Sequence, residues 1–327
     1  MTTLVEELRR LKKEEPKQIY WLCSNNAYLE KELIKTISGK ISNDISAIEK
    51  VDLSDTDAND FAFLVSSGSL LTGGKVILVD GATKVKAEKG KQIAESLASA
   101  NPTNIVVFTE DGISGATTLG KYLNSNACVI KESGLDDKMI LSWAKKRFET
   151  NCCEVDSEAI SILVERTLGD LTMLAQEIDK IVFYVGDAKK VTARDVKETV
   201  NEKTEVVIFQ VLDELAAKQT AKGIRLLHKL ARDGEPPERM VVMLYNHFLR
   251  VLAAQAMVAQ KASQTEVAKQ LACHPFVAKK AMQTASSFSR EELLSYLEQI
   301  NNAEISFKTG SAKALEAIET ALFQIVR

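Results

Sequence analysis

The chemistry most nearly spelled out in this sequence is a phosphate-binding loop, at Gly68-Ser69-Leu70-Leu71-Thr72-Gly73-Gly74-Lys75. In the pattern GxxxxGK[ST], backbone amides cradle phosphates, the lysine reaches the terminal ones and a hydroxyl holds magnesium. Here the lysine falls one position late, behind an extra glycine, and Val76 stands where the hydroxyl belongs. The setting is also reversed. A P-loop leaves a strand and opens a helix, whereas the apolar spacing predicts a helix before this segment and a strand after it. The place where a nucleotide cradle would stand, after the first strand, reads Ser24-Asn25-Asn26-Ala27-Tyr28, with neither glycine nor lysine. Lys31 and Lys35 lie too far along the following helix to substitute. Val79-Asp80 has the apolar-strand-then-carboxylate form of a magnesium site, but such an aspartate needs a metal-nucleotide beside it, and a polar strand end is the plainer account.

Other catalytic patterns are missing. The three histidines, His228, His247 and His274, form no HExxH, and no Cys/His spacing suits zinc. No GxSxG and no nucleophilic-cysteine signature occurs. The adjacent Cys152 and Cys153 read as packing residues near a helix end. No cofactor and no metal is expected.

Within the glycine-flanked segment, Ser69-Leu70-Leu71 asks for another explanation, because turns normally take polar residues. The two leucines either fold back onto a sheet edge or form an apolar tip for a partner's pocket. Full burial of both at an interface would supply about 3–6 kcal/mol, enough to anchor a micromolar contact if the loop is pre-formed.

The elements that must position these residues fall into three zones. In 1–139, Ile19-Tyr20-Trp21-Leu22-Cys23, Val76-Ile77-Leu78-Val79, Ile105-Val106-Val107-Phe108 and Cys128-Val129-Ile130 are apolar runs. Helical patterns at 28–37, 58–67, 87–99 and 115–124 separate them. Continuously apolar strands spaced by helices predict a parallel sheet covered on both faces. The zone 140–205 reads as four short helices, spanning roughly 138–149, 157–168, 171–184 and 192–200, a size that suits a lid. The zone 206–327 reads as helices throughout, with proline at a helix start after Asp233-Gly234-Glu235-Pro236-Pro237. Ser263-Gln264-Thr265-Glu266 and Ser289-Arg290-Glu291-Glu292 fit capping boxes. A helix from 240 to 258 carries Val241, Leu244, Phe248, Val251 and Leu252 on one stripe, as a self-contained bundle or an oligomerisation collar would.

Composition bounds the function. With 327 residues, 45% hydrophobic and 27% charged, the chain has the make-up of a multi-domain globular protein. Five cysteines without a CxxC pair argue against a disulfide framework and for a reducing cytoplasm. The charged first residues lack the apolar centre of a secretory signal, and no unbroken apolar run approaches the roughly 18 residues of a membrane helix. A formal charge of −3 is unlike a chain that binds nucleic acid alone. Lys145-Lys146-Arg147, Lys189-Lys190 and Lys279-Lys280 are small basic clusters that solvated helix faces also explain.

Together these features resemble the delta subunit of the bacterial DNA polymerase III clamp loader. The likeness runs along the whole chain. It is strongest in Gly169-Asp170-Leu171-Thr172-Met173-Leu174 with Glu177-Ile178-Asp179-Lys180-Ile181, in Ile208-Phe209-Gln210-Val211-Leu212-Asp213, and in Gly234-Glu235-Pro236-Pro237. His274-Pro275-Phe276-Val277-Ala278-Lys279-Lys280 and Ala303-Glu304-Ile305-Ser306-Phe307-Lys308-Thr309-Gly310 complete it. The resemblance implies a RecA-like AAA+ α/β domain, a helical lid and an all-α collar. It also implies a hydrophobic pair that contacts the sliding clamp, mapping to Ser69, Leu70 and Leu71 with Leu71 in place of the usual phenylalanine. Active AAA+ lids often present GxxR, where this chain has Gly169-Asp170-Leu171-Thr172, and no Ser-Arg-Cys finger is present. The expectation is therefore a part of the polymerase holoenzyme without ATPase activity of its own. Its implied partners are the clamp, the tau/gamma and delta prime subunits through the C-terminal domain, and primed DNA in the assembled complex. An active ATPase with an atypical P-loop at 68–75 is the competing reading.

Overall fold

The computed structural model describes residues 2–24, 26–41, 48–69, 73–110, 113–132 and 135–324. The chain divides into two compact units, Met1–Gly134 and Leu135–Arg327.

The first unit runs α1 (Leu4–Arg10), β1 (Ile19–Ser24), α2 (Ala27–Ile41), β2 (Ile48–Asp52), α3 (Ala58–Ser66), β3 (Val76–Asp80), α4 (Ala87–Ala98), β4 (Ile105–Phe108), α5 (Thr118–Asn126) and β5 (Cys128–Glu132). The strands form one parallel sheet in the order β2-β3-β4-β1-β5, a RecA-like α/β arrangement. Parallel strands need long crossovers, and the helices supply them while covering both faces. Ile19, Trp21, Ile77, Val79, Val106 and Phe108 share one apolar layer with Phe61, Val65, Ile93 and Leu119. The alternate strand residues Tyr20, Leu22, Val76 and Val107 are buried as well, as are Leu29, Leu33 and Ile37 of α2. Burial on both faces explains why these strands read as unbroken apolar runs.

Two elements of this unit were not anticipated. Strand β2 sits at the sheet edge, and its residues Ile48-Glu49-Lys50-Val51-Asp52 are half-buried or exposed, so it lacks the apolar run of an inner strand. Helix α1 is short and charged. It holds through the buried carboxylate of Glu7, which pairs with Arg10 at 2.7 Å and accepts a hydrogen bond from the Tyr20 hydroxyl at 2.9 Å. Burial alone would raise the Glu7 pKa, but these bonds, Arg10 first, bring it below its ordinary value.

The second unit begins with α6 (Asp137–Thr150), β6 (Glu154–Val155), α7 (Ser157–Arg166), α8 (Leu171–Val185), β7 (Lys190–Val191) and α9 (Ala193–Thr199). The parallel two-residue pair β6–β7 departs from the purely helical expectation. There follow α10 (Thr204–Ala216), α11 (Thr220–Arg232), α12 (Pro237–Ala259), α13 (Gln264–Gln270), α14 (Pro275–Ala285), α15 (Arg290–Lys308) and α16 (Ala314–Gln324). The capping boxes at Ser263 and Ser289 are formed, and Pro237 opens α12. Phe248 stacks on Tyr296 with ring centroids 4.7 Å apart, and Phe288 meets both edge-on. Helix α12 is long and apolar enough, by length and composition, to cross a bilayer. Its stripe Met240, Val241, Leu244, Phe248, Val251 and Ala254 is buried in the core of the helical bundle.

The segments that carry the family resemblance meet inside this unit. Gly169 has φ +71°, and a Cβ there would lie 3.2 Å from both His274 Cε1 and Ile140 Cδ1. Leu168, Val206, Phe209 and Val277 pack together beside it. Lys280 pairs with Glu165 at 2.7 Å, and Lys279 pairs with Asp137. Motifs without catalytic residues therefore hold 137–199 against the later helices.

Candidate functional site

Two ends of the parallel sheet bear on function, and they differ in chemistry. At the carboxyl ends of the strands, Ser24 closes β1 and its Oγ accepts the Asn26 N–H at 2.9 Å. Asn26 Oδ1 in turn accepts the Leu29 N–H at 3.1 Å. A phosphate at a helix N-terminus needs such amides free, and here the side chain of Asn26 satisfies one from within.

The surrounding charge opposes an anion too. Glu30, in the first turn of α2, is half-buried and hydrogen-bonds to Ser24. Burial pushes its carboxyl pKa up, and nearby Asp80 adds to the rise. Glu110 accepts the Gly81 and Thr83 N–H groups, each at 2.8 Å, while Thr109 donates to Asp80. Asp52 accepts from the Ser54 amide and hydroxyl at 2.8 and 2.7 Å, which hold its carboxyl below the ordinary range. This edge is lined with carboxylates that brace its own turns. Among the described residues no group of three or more His, Cys, Asp or Glu side chains is placed to hold a metal ion.

Lys75, the lysine of the P-loop look-alike, precedes β3 and so lies at the amino end of the sheet, opposite the edge just described. Its ammonium pairs with Glu49 at 2.9 Å and reaches Ser67 Oγ at 3.4 Å. The segment fails as a phosphate cradle in register, in context and in position.

The same amino end holds the stems of the loop that contains Ser69, Leu70 and Leu71. Ser69 is half-buried; Leu70 and Leu71 lie outside the described residues. On the incoming side α3 ends at Ser66, with the Ser67 N–H bonded to the Phe63 carbonyl at 2.9 Å. On the outgoing side Gly74 packs so tightly that a Cβ would fall 2.2 Å from the Thr103 carbonyl oxygen. The fully buried Asn104 ties the stems together. Its Oδ1 accepts the Lys75 N–H at 3.1 Å, and its Nδ2 donates to the Val65 and Ser67 carbonyls, each at 2.9 Å. Asn101 N–H adds a bond to the Val65 carbonyl at 3.0 Å. Neither Asn104 nor Asn101 stands out in the sequence beyond an Asn-Pro-Thr-Asn turn. One turn before the stem, Phe63 is 75% exposed, another residue that sequence patterning passed over.

In the second unit a cleft of about 630 Å³ is lined by Arg166, Lys197, Glu202, Lys229, Asp233 and Glu235, among others. Arg166 donates to the carbonyls of Lys197, at 3.1 Å, and of Val200, and it faces Glu202 at 3.5 Å. Its charges are mixed and its arginine is occupied, so it reads as a strap between α7, α9 and the start of α10. His247 is buried with its ring edge-on to Phe209, centroids 4.4 Å apart, and burial, with Arg250 nearby, brings its pKa down to about 4. It is a core residue. Among the described residues the cysteines form no disulfide, and Cys153 is buried just past α6.

Comparison with known proteins agrees with these features. Residues 205–325 match the family model for the DNA polymerase III delta subunit, C-terminal domain. The sequence is 25% identical to DNA polymerase III subunit delta of Bacillus subtilis (strain 168) over 332 residues, covering 98% of this chain and 96% of that protein. It is 24% identical to the probable DNA polymerase III subunit delta of Aquifex aeolicus (strain VF5) over 132 residues, 40% of this chain and 38% of the relative. The fold is similar to that of the Bacillus subtilis DNA clamp loader delta protein, with a TM-score of 0.81, 22% identity and 99% of each chain covered. Its C-terminal part thus matches the family model for the DNA polymerase III delta subunit, and the whole chain is similar in sequence and in fold to a clamp loader delta subunit.

Proposed function

We propose that this chain is the non-catalytic arm of its clamp loader, one that docks on the ring-shaped sliding clamp through Ser69, Leu70 and Leu71 and favours the opened ring. The observation that carries this reading is the pinning of both loop stems, at Ser67 and Lys75, by the buried Asn104. A loop fixed at its base loses less conformational freedom on docking, so more of its apolar contact appears as affinity. Ring opening needs only tighter binding to the open clamp than to the closed one, since a ligand shifts an equilibrium by its differential affinity.

In this reading residues 1–139 form the clamp-contacting AAA+ domain, 140–205 the lid and 206–327 the collar. The collar assembles with the tau/gamma and delta prime subunits in the cytoplasm. Nucleotide turnover belongs to those neighbours, in keeping with the capped N-terminus of α2 and the carboxylates at the strand ends. Primed DNA is engaged within the assembled complex.

The test is calorimetry of the chain against its cognate clamp without ATP. Leu70→Ala with Leu71→Ala should abolish binding while the melting temperature and assembly with the other loader subunits stay unchanged. Undiminished clamp affinity in that double variant would sink the docking assignment.

A further inference from the structure

Helix α11 carries basic residues along one face. Its inner face, Ile224, Leu227 and Leu230, is buried in the bundle core. Its outer face presents Lys222, Arg225, Lys229 and Arg232, all exposed. The spacing of three, four and three residues puts the four side chains on one line along the helix. Among the described residues none of these side chains has a hydrogen-bond or ion-pair partner. Neighbouring basic side chains are engaged: His228 faces Glu319 at 2.9 Å, and Lys218 pairs with Glu292. Asp233 follows the last turn and is the nearest acid in sequence.

This arrangement works against the helix. Like charges three or four residues apart repel, by about 0.2–0.5 kcal/mol per pair, and here they do so along the whole outer face. Lys222 also lies in the first turn, where the helix dipole favours an acid, and that turn contains none. The chain as a whole carries a net charge of −3, so an unpaired cationic line is a local feature, not a by-product of composition.

We infer that the outer face of α11 is a polynucleotide-binding track that grips phosphates. From Lys222 to Arg232 the helix rises about 15 Å, the axial length of about four to five nucleotides of one duplex strand. The choice of a polynucleotide over an acidic protein surface follows from what the face lacks. Stable protein interfaces have an apolar or aromatic core, and no large hydrophobic residue of α11 is exposed among the described residues. A surface of point charges at regular spacing and without apolar anchors fits a phosphate backbone, read without base specificity. The inference deepens the DNA-handling part of the proposed function and rests on it for the choice of ligand.

The test uses the full chain alone, without clamp or other subunits, and labelled oligonucleotides, single-stranded and primed, in fluorescence anisotropy over a salt series. The variant Lys222→Ala/Arg225→Ala/Lys229→Ala/Arg232→Ala should bind at least about tenfold more weakly at low salt. Its slope of log affinity against log salt should shrink by about 3, at roughly 0.7–0.9 per phosphate released. Single Lys222→Gln and Arg225→Gln variants, which keep the helix, should each lower the slope by just under about 1. Lys145→Ala/Lys146→Ala, in an exposed basic cluster elsewhere, should leave it unchanged. Equal affinity and slope in the fourfold variant would overturn the assignment. So would a wild-type chain that binds no oligonucleotide at low salt, or α11-dependent binding confined to anionic vesicles. Clamp affinity is measured separately on the same proteins. Loss of clamp docking with α11-dependent DNA binding intact would count against the loop at 69–71 alone, and the converse against α11 alone.

Discussion

The carboxamide oxygen of Asn104 accepts the backbone N–H of Lys75 at 3.1 Å, and through that bond the residue just before β4 holds the exit of a loop 29 positions earlier. The other end of the same side chain holds the entry, at the Ser67 carbonyl. A buried amide that satisfies groups on both stems cannot be lost without leaving them unpaired. Asn104→Ala should therefore lower stability by about 2–6 kcal/mol, at roughly 1–3 for each of the two orphaned stem groups, as read from urea unfolding. Clamp affinity should fall with it, although Asn104 is itself fully buried. A variant with wild-type stability would show that the stems are held by other contacts.

In the proposed docking, Leu71 offers the clamp less apolar area than a phenylalanine would, and that difference is measurable. Leu71→Phe should tighten clamp binding about threefold to tenfold, from the added ring area, without shifting the melting temperature. Weaker binding would mean that the pocket is shaped for leucine.

Lys75 sits in an ion pair with Glu49 at the amino end of the sheet, not beside a nucleotide. Lys75→Ala should cost about 1 kcal/mol or less, as a partly exposed pair does. It should leave the binding of labelled ATP by the isolated chain unaltered. A saturable ATP signal that disappears in this variant would restore the ATPase alternative.

His247 links stability to pH. Its folded-state pKa is brought down to about 4 from an ordinary 6.5, because burial penalises the charged ring. The unfolded chain therefore takes up the proton first as pH falls. The neutral ring's contribution is fully present above about 6.5, declines between there and about 4, and is constant below. The whole effect is about 3 kcal/mol. The urea midpoint should drop over that window in the wild type, and His247→Leu, which keeps an apolar partner for Phe209, should flatten that part of the profile. Parallel profiles in the two proteins would place the acid sensitivity elsewhere.

The sequence by itself determined the inner strands and the helix punctuation, and it carried the resemblance to clamp-loader delta subunits. Residues such as Trp21, Val79 and Phe108 are buried whichever face they point to, so their runs are continuous and legible. Capping boxes such as Ser263 with Glu266 are local, closing within one turn, and need no tertiary partner to be read. Tertiary structure decided what depends on distant segments. Edge strand β2 exists because β3 pairs with it, not because its own alternating residues demand a strand. The Asn104 clamp joins groups 29 to 39 positions apart. The line of cations on α11 is scattered at intervals of three and four in the chain and becomes a surface only when Leu227 and Leu230 are drawn into the core. The segment at 68–75 shows both sides. Its residues alone argued against a phosphate cradle, while only the fold placed Lys75 at the far end of the sheet and fixed the loop's stems, because parallel strands carry their two ends to opposite edges.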